Sequence, residues 1–286
     1  MRRGEIVEAV HVVHAVAVQD GAVVAEAGDP SLVAFMRSSS KPIQALPAAR
    51  ARDDLDARDL AIASASHLAD DGQLTAVRAL LAKVPAEVEE LECGAEGNPP
   101  SPLNHNCSGK HAGMLALGRA NGWPSAGYRL ADHPVQREML AVHAEAAEVS
   151  PDEIPAAVDG CGVLTFALPL ERMAAALGRL RALEGGPRVV EAMRRYPELV
   201  RGPGAPDTML MQLLPGWIAK GGAEGLLCAA SAEGLGVALK AEDGSWRPLR
   251  SAAAAFLGLL GLETGELGEV EVRNSRGETV GKVVSA

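Results

Sequence analysis

Segments with the alternation of β-hairpins lie near both ends of the chain, and this arrangement constrains the fold most strongly. Residues 5–29 and 225–240 alternate β-branched or small apolar residues around an Asp-Gly and a Glu-Gly pair. Residues 269–285 show a similar alternation. Each segment predicts two antiparallel strands joined by a tight turn.

Between these segments the pattern changes to apolar residues at spacings of three and four, which predicts helices. The predicted helices cover residues 71–84, 110–120, 133–148, 165–183, 187–197 and, after the second hairpin, 249–262. The economical arrangement is an α+β fold, in which a largely antiparallel sheet from both termini is flanked by helices.

We predict a single domain of residues 1–286, with sheet segments at about 1–67 and 206–286 and a helical middle at about 68–205. A sheet domain with a helical insertion in the same middle region fits the pattern equally well.

Composition and charge limit the classes of partner that the chain is expected to bind. The net charge is −10 with acids and bases interspersed, whereas nucleic-acid and anionic membrane surfaces require clustered basic residues. Acidic residues interrupt the N-terminal apolar pattern, so no signal peptide is predicted, and the apolar run 252–262 is too short to span a bilayer. Four irregularly spaced cysteines predict reduced thiols. We therefore expect a cytoplasmic protein with no nucleic-acid or membrane partner.

Lysine is scarce in this chain, because only six of its 27 basic residues are lysines. A lysine that remains where arginine is preferred is a candidate for a role that needs the amine. Lysine can lose its proton when it is buried or crowded by positive charge, whereas arginine effectively cannot. Lys41, Lys110 and Lys220 all lie in the motifs considered next.

The stretch SSSKPIQALPAAR predicts a cap followed by a helix, and it contains a Ser-x-x-Lys motif, Ser38 to Lys41. Residues three apart share one helix face, so the hydroxyl and the amine can meet. A desolvated neutral lysine can activate a serine as nucleophile, as in penicillin-recognising enzymes. The alternative is that the serines cap the helix and Lys41 points into solvent.

Two weaker candidate catalytic residues, Ser66 and Lys220, lie elsewhere in the chain. Ser66 precedes His67 in ASASH, although adjacent side chains point apart and a strand-to-loop junction explains the pair equally well. The apolar lead-in to Lys220 predicts a strand that ends at this residue, and Gly221-Gly222 after it permit close approach of a backbone or a ligand.

The stretches CSGKHAG and VDGCGV together suggest a metal site. Cys107, Lys110 and His111 lie in the first, and Asp159 and Cys161 in the second. Two thiolates and a carboxylate suit Zn²⁺ better than Mg²⁺ or Ca²⁺, and Lys110 could join them as a neutral amine. Two buried free cysteines that act as small apolar residues are the alternative.

Taken together, RSSSKPIQALP, ASH, CSGKHAG, VDGCGV and KGGAEG, in this order from residue 37 to residue 225, resemble the rhizobial-type L-asparaginase II family. The resemblance implies a fold like that of serine β-lactamases and glutaminases, and hydrolysis of L-asparagine to L-aspartate and ammonia. It also implies two Ser–Lys pairs near the substrate, Ser38 with Lys41 and Ser66 with Lys220, and a homodimer.

The same resemblance implies Zn²⁺ bound by Cys107, Lys110 and Cys161, with Asp159 at or next to the metal. It implies substrate contacts by Lys110, by Asp159 through the amino group, by His111, and by Arg37 through the carboxylate. The chain departs from the family pattern at residues 68–72, which replace an expected Ser-Gly-Glu-like turn, and in the proline-rich stretch 201–212.

Two other functions fit parts of the same pattern. A penicillin-recognising-type acyl-serine amidase or glutaminase would use the Ser38–Lys41 and Lys220 chemistry, but it would not need CSGKHAG. A non-enzymatic, zinc-stabilised fold would need the cysteines and would use the serines only as helix caps.

Overall fold

A computed structural model describes residues 1–268 and 270–285 of the chain; Glu269, the first residue of the third predicted hairpin, lies outside the described residues. The predicted α+β class is confirmed, since helices accompany antiparallel sheets. The strands are β1 (Arg2–Arg3), β2 (Ile6–Val7), β3 (Val13–Gln19), β4 (Ala22–Ala27), β5 (Val33–Phe35), β6 (Ala156–Val158), β7 (Leu164–Pro169), β8 (Ile218–Gly222), β9 (Leu226–Ala230), β10 (Gly236–Ala241), β11 (Val270–Arg273) and β12 (Thr279–Val283).

The helices are α1 (Lys41–Gln44), α2 (Leu46–Ala51), α3 (Ala57–Ala63), α4 (Asp71–Lys83), α5 (Ser108–Ala120), α6 (Pro134–Ala147), α7 (Leu170–Arg179), α8 (Gly186–Arg195), α9 (Pro197–Val200), α10 (Pro206–Leu213) and α11 (Leu249–Leu259). A short 3-10 helix, Arg37–Ser40, precedes α1 and is called the serine turn below. No helix within residues 1–268 and 270–285 is long and apolar enough to cross a membrane.

The strands form three sheets rather than the one expected. The main five-stranded sheet has the order β4-β3-β10-β9-β8 and is antiparallel throughout. The last hairpin pairs instead with the first strands, in the order β11-β12-β1-β2. The third sheet, β5-β7-β6, joins β5 from the N-terminal segment to two strands from the predicted helical middle. Hairpin patterns identify strands locally, but they do not specify which hairpins share a sheet.

The three predicted hairpins are present. β3 and β4 turn at Asp20 and Gly21, whose φ angles of 51° and 79° are the two positive values of a type I′ turn. β9 and β10 turn through Gly234, whose φ angle is 91°. β11 and β12 form the third hairpin. The alternating pattern was sufficient to predict all three, and turn residues marked the first two.

The predicted helices at 71–84, 110–120, 133–148, 187–197 and 249–262 correspond to α4, α5, α6, α8 and α11. The prediction of one helix over 165–183 was wrong at its start, because β7 occupies Leu164–Pro169 before α7 begins. β7 pairs with both β5 and β6, and Phe166 at its centre is fully buried. Tertiary pairing therefore overrides an apolar spacing that also suits a helix.

Helix α7 packs against β3, β9 and β10, and glycine makes this close approach possible. A Cβ atom on Gly236 would lie 1.9 Å from the Ala174 carbonyl oxygen, and one on Gly178 would lie 2.5 Å from the Gly234 carbonyl oxygen. Because α11 also packs on β3 and β10, and β9 is buried along its whole length, the central strands are covered on both faces.

Strand β8 is an edge of the main sheet, yet all of its residues are buried. The serine turn packs directly on it: a Cβ atom on Gly222 would lie 2.7 Å from the Met36 carbonyl oxygen and 3.1 Å from the Ser39 nitrogen. Glycine at 222 thus brings the backbone of the serine turn beside the strand that carries Lys220. This junction positions the candidate site.

Candidate active site

Three buried lysines surround the junction between the serine turn, α5 and β8. Lys41 is 0%, Lys110 3% and Lys220 1% exposed. Lysines are rarely buried unless their amines are paired, because a buried unpaired ammonium is strongly destabilising. Each amine must therefore have partners.

The serine turn begins with a strained residue. Arg37 has a φ angle of 48°, in the left-handed region that side chains rarely adopt. Its N–H donates to Thr165 Oγ1 at 3.1 Å, and the Met36 N–H donates to the Phe166 carbonyl oxygen at 2.8 Å. Strand β7 therefore holds the strained backbone directly before Ser38, as is common at functional sites.

The three serines of the turn have different environments. The hydroxyls of Ser39 and Ser40 donate to the backbone carbonyls of Met36 and Arg37, at 2.7 and 2.9 Å. Ser38 is half-buried, and its hydroxyl has no hydrogen bond to any of the residues described. The capping alternative is wrong, because no serine side chain caps the serine turn or α1 and Lys41 is buried rather than exposed to solvent. The Ser38 hydroxyl is available to a ligand.

The Lys41 amine donates to Ser66 Oγ at 2.9 Å, to the Ala65 carbonyl oxygen at 2.5 Å and to Cys107 Sγ at 3.2 Å. Burial lowers the pKa of Lys41, the charge of Lys110 lowers it further, and the two nearby cysteines oppose the shift. The structure therefore brings Lys41 to Ser66, whereas the resemblance paired it with Ser38.

The Lys220 amine lies at the middle of β8 rather than at its end. It donates to the Gly221 carbonyl oxygen at 2.7 Å and to Asp207 Oδ2 at 3.3 Å, and it is not hydrogen-bonded to Ser66. Burial lowers its pKa to about 8; Lys41 and Arg201 add to this shift and Asp207 opposes it. Lys220 can therefore exchange a proton near neutral pH.

Asp207 was missed as a site residue, although it is 0% exposed. Its Oδ2 atom also accepts the Gly221 N–H at 3.0 Å, and its Oδ1 atom accepts the Thr208 N–H at 3.2 Å. One carboxylate thus fixes both the amine of Lys220 and the backbone that follows it. The pair Asp207-Thr208 fits the family pattern within the stretch 201–212, but nothing in the sequence indicated that Asp207 pairs with Lys220.

Cys107 immediately precedes α5, and Cys161 lies in the turn between β6 and β7. The Lys110 amine donates to Cys161 Sγ at 2.9 Å. A hydrogen bond from the Cys161 thiol lowers the pKa of Cys107, and Lys41 and Lys110 lower it further; the pKa of Cys161 is correspondingly raised. Cys107 is therefore the more acidic of the two thiols, and a lysine amine lies against each sulfur.

Cys107, Cys161 and the Lys110 amine are called the sulfur group below. Asp159 connects the sulfur group to the serine turn. Its Oδ1 atom accepts the Arg37 Nε–H at 2.7 Å, while its Oδ2 atom lies 3.9 Å from the Lys110 amine and 4.0 Å from Cys161 Sγ. The Asp159 side chain is only 9% exposed. The carboxylate therefore lies beside the sulfur group, and the Arg37 guanidinium balances its charge.

His111 is fully buried one position after Lys110, and burial lowers its pKa well below the usual value. Its Nδ1 atom lies 2.6 Å from the Tyr128 hydroxyl, which also accepts the Glu92 N–H at 2.8 Å. Its Nε2 atom has no hydrogen-bond partner within the part of the chain that the structure describes. Tyr128 thus fixes the ring of a neutral histidine whose second nitrogen remains free.

The donor set around Lys110 fits Zn²⁺ chemically, because Zn²⁺ is bound by sulfur and nitrogen ligands in protein sites. The sulfurs of Cys107 and Cys161 and the amine of Lys110 are buried together. No group of three or more His, Cys, Asp or Glu side chains in the described ranges could hold a metal. A zinc site here therefore depends on the lysine amine as a ligand.

The whole chain matches one known family. The sequence model of the L-asparaginase II family matches residues 1–285, and the chain belongs to this family. The resemblance drawn from the motifs is thereby confirmed, and the α+β architecture fits the β-lactamase-like class. Membership implies a hydrolase that acts on amides, with a small molecule as substrate. No protein with a curated description was found to match the chain.

Proposed function

We propose that the chain is an L-asparaginase that converts L-asparagine to L-aspartate and ammonia. The observation that carries this proposal is a fully buried lysine amine, Lys41, hydrogen-bonded to the Ser66 hydroxyl. The serine turn that leads into Lys41 carries Ser38, whose hydroxyl has no hydrogen bond to any described residue. A desolvated lysine of lowered pKa can act as the general base for a serine nucleophile.

Ser38 is proposed as the nucleophile, because the residue is half-buried and its hydroxyl has no hydrogen bond within the described part of the chain. Ser66 is 6% exposed and already bonded to Lys41. Ser38 Oγ attacks the side-chain amide carbon while Lys41 takes its proton. Lys41 returns this proton to the departing nitrogen, the C–N bond breaks, and ammonia leaves an ester on Ser38. Water then cleaves the ester, with Lys41 again accepting and returning one proton.

Lys220 is proposed to relay protons together with Ser66. The positive charge of Lys41 contributes to the lowered pKa of Lys220, since two neighbouring buried amines are not easily charged at the same time. A neutral amine therefore forms in this pair at a lower pH than in an exposed lysine. This predicts weak activity in acid, where both lysines hold their protons.

The remaining groups orient the substrate. Asp159, next to the sulfur group, is proposed to hold the substrate's α-amino group, and His111 and Lys110 to line the same side. Zn²⁺ bound by Cys107, Lys110 and Cys161, next to Asp159, would supply a Lewis acid that polarises the substrate. All four cysteines are free, which suits a reducing compartment such as the cytoplasm, and a homodimer stays a prediction.

Ammonia release from L-asparagine and L-glutamine, measured with and without a chelator, tests the proposal. Ser38→Ala is expected to lower kcat by about 10³-fold or more, because the nucleophile is lost. Ser39→Ala, in the same turn, is the matched control and retains most of the activity. Release that persists in Ser38→Ala but disappears in Ser66→Ala would assign the attack to Ser66.

Two outcomes would replace the proposal. Covalent labelling by a fluorescent penicillin, without ammonia release from either amino acid, would favour a penicillin-recognising enzyme. A protein that releases no ammonia, unfolds on chelation and is unaffected by Ser38→Ala and Lys41→Ala would be a zinc-stabilised fold without this activity.

A further inference from the structure

The resemblance assigns the substrate's α-carboxylate to Arg37, but the charge of Arg37 is already balanced by a carboxylate of the protein. The Arg37 guanidinium is already paired with Asp159, through Nε at 2.7 Å. L-Asparagine is a zwitterion, so a site that binds its amino group through Asp159 also needs a cation for its α-carboxylate. A second arginine that lacks a carboxylate partner would meet this requirement.

Arg201 lies directly beside the paired serine and lysine. Its Nη1 atom donates to the Ser66 carbonyl oxygen at 2.7 Å, and the Ser66 N–H donates to the Val200 carbonyl oxygen at 2.8 Å. The residue that touches the Lys41 amine is therefore bonded to residues 200 and 201 through both of its backbone groups. Arg201 also contributes to the lowered pKa of Lys220, which places its charge near that amine.

The charge of Arg201 is not balanced within the described residues. The buried carboxylate of Asp207 pairs with Lys220, Asp159 pairs with Arg37, and no carboxylate of residues 1–268 or 270–285 lies within 4.0 Å of Arg201. The side chain is half-buried, and a guanidinium has five N–H donors, of which the Ser66 carbonyl uses one. An anion can therefore bind the remaining donors.

The turn at residues 68–72, which departs from the family pattern, packs against the backbone around Arg201. The Gln73 Oε1 atom accepts the Leu68 N–H at 2.8 Å, and its Nε2 atom donates to the carbonyl oxygens of Glu198 and Arg201, at 2.9 and 3.1 Å. Gln73 is 0% exposed, and Leu68 packs so closely on Gly202 that a Cβ atom there would lie 2.8 Å from Leu68 Cδ1. The two regions where the chain departs from its family pattern thus contact each other.

We propose that Arg201 binds the α-carboxylate of the substrate, so that the site accepts amides of amino acids with a free α-carboxylate; this rests on the proposed function for the substrate class. Asp159, Ser38 and Arg201 then hold the amino group, the amide and the carboxylate at three separate points. Three-point binding selects the L-enantiomer, since a D-substrate cannot place all three groups at once.

Calorimetric titration with L-aspartate, the product that keeps both α-substituents, tests Arg201 independently of catalysis. Arg201→Met is expected to weaken L-aspartate binding by about 10- to 100-fold, because a charge-assisted bidentate contact is lost. Arg201→Lys keeps the charge but not the planar guanidinium, so its affinity for L-aspartate is expected to lie between those of the unaltered protein and Arg201→Met. Arg194→Met, an exposed arginine on α8, is the matched control and binds L-aspartate like the unaltered protein.

Kinetics with two substrates separate recognition from general damage. For L-asparagine, Arg201→Met is expected to raise KM with little change in kcat. For 3-aminopropanamide, which is asparagine without its α-carboxylate, KM should change by less than about twofold, because no contact of Arg201 is involved. Equal losses for both substrates would mean that Arg201 only supports the fold, and would overturn the proposal.

Other outcomes are also decisive. Unchanged L-aspartate affinity in a folded Arg201→Met variant overturns the role of Arg201; if that variant does not fold, unchanged affinity in Arg201→Lys does so. Unaltered protein that binds neither L-aspartate nor L-asparagine overturns it as well. Unaltered protein that binds L-aspartate but releases no ammonia overturns only the asparaginase proposal, and the titrations still decide the role of Arg201.

Discussion

Lys220 and Lys110 are buried to a similar degree, but their surroundings give their amines opposite properties. Lys220, on β8, has one carboxylate neighbour and two positive neighbours, and its pKa is lowered to about 8. Lys110, on α5, would also have its pKa lowered by burial, but Cys107, Cys161 and Asp159 together outweigh that effect and raise it. Burial alone therefore does not make a lysine a base.

The number of anionic neighbours decides which lysine gives up a proton in the protein alone. Lys220 is suited to proton transfer, whereas Lys110 is suited to holding the negative charge of two sulfurs and a carboxylate together. A metal cation in place of the Lys110 proton would serve the same electrostatic purpose. Three experiments test this difference, in order of expected effect.

The first tests Lys220 as a proton carrier. Lys220→Met is expected to lower kcat for ammonia release by about 10²–10⁴-fold, the usual contribution of a general acid or base. The bound zinc, measured by mass spectrometry, should not change, because Lys220 does not contact the sulfur group. Lys282→Met, an exposed lysine on β12, is the matched control. Full activity of Lys220→Met would remove the distinction between the two lysines.

The second tests the sulfur group around Lys110 as a metal site. Cys161→Ala is expected to remove bound zinc, and chelation of the unaltered protein should lower its free energy of unfolding. Zinc at about 100 times its dissociation constant adds about 2.7 kcal/mol to that energy. Cys228→Ala, a buried thiol on β9, is the control and should keep its zinc. Equal zinc content in both variants contradicts the assignment.

The third tests the carboxylate beside Lys220. In the unaltered protein, kcat/KM should rise with pH through about 8, because Lys220 must lose its proton to act in the relay. Asp207 raises this pKa, so Asp207→Asn is expected to lower the apparent pKa by about one unit, or about 1.4 kcal/mol. Asp132→Asn, an exposed aspartate, provides the comparison. An apparent pKa that stays the same or increases contradicts this role of Asp207.

Local features of the sequence predicted much of the fold. Asp20-Gly21 predicts its hairpin because the two residues themselves adopt the required positive φ angles. The three lysines of the site could be identified from the sequence because lysine is scarce among the basic residues of this chain. In contrast, β7 could not be predicted, since its strand character comes from pairing with β5, which lies far away in sequence.

The partners of the lysines also lay beyond the sequence. Lys41 meets Ser66 and Lys220 meets Asp207 only after distant segments pack together. Arg201 was hidden for the opposite reason, because an arginine is ordinary in this composition and only the packed structure shows its bond to the Ser66 carbonyl oxygen. Motifs identify chemical groups, but pairing and charge balance require the packed structure.

The packing of the serine turn on β8 also affects how the protein associates with itself. An uncovered edge strand offers free backbone groups to which another chain can add, and this leads to aggregation. β8 is buried throughout and the serine turn lies against it, whereas the opposite edge, β4, is mostly exposed and its pairing is interrupted by a bulge. The segment that bears Ser38 thus also protects the β8 edge of the main sheet from further strands, so loosening it would lower solubility as well as activity.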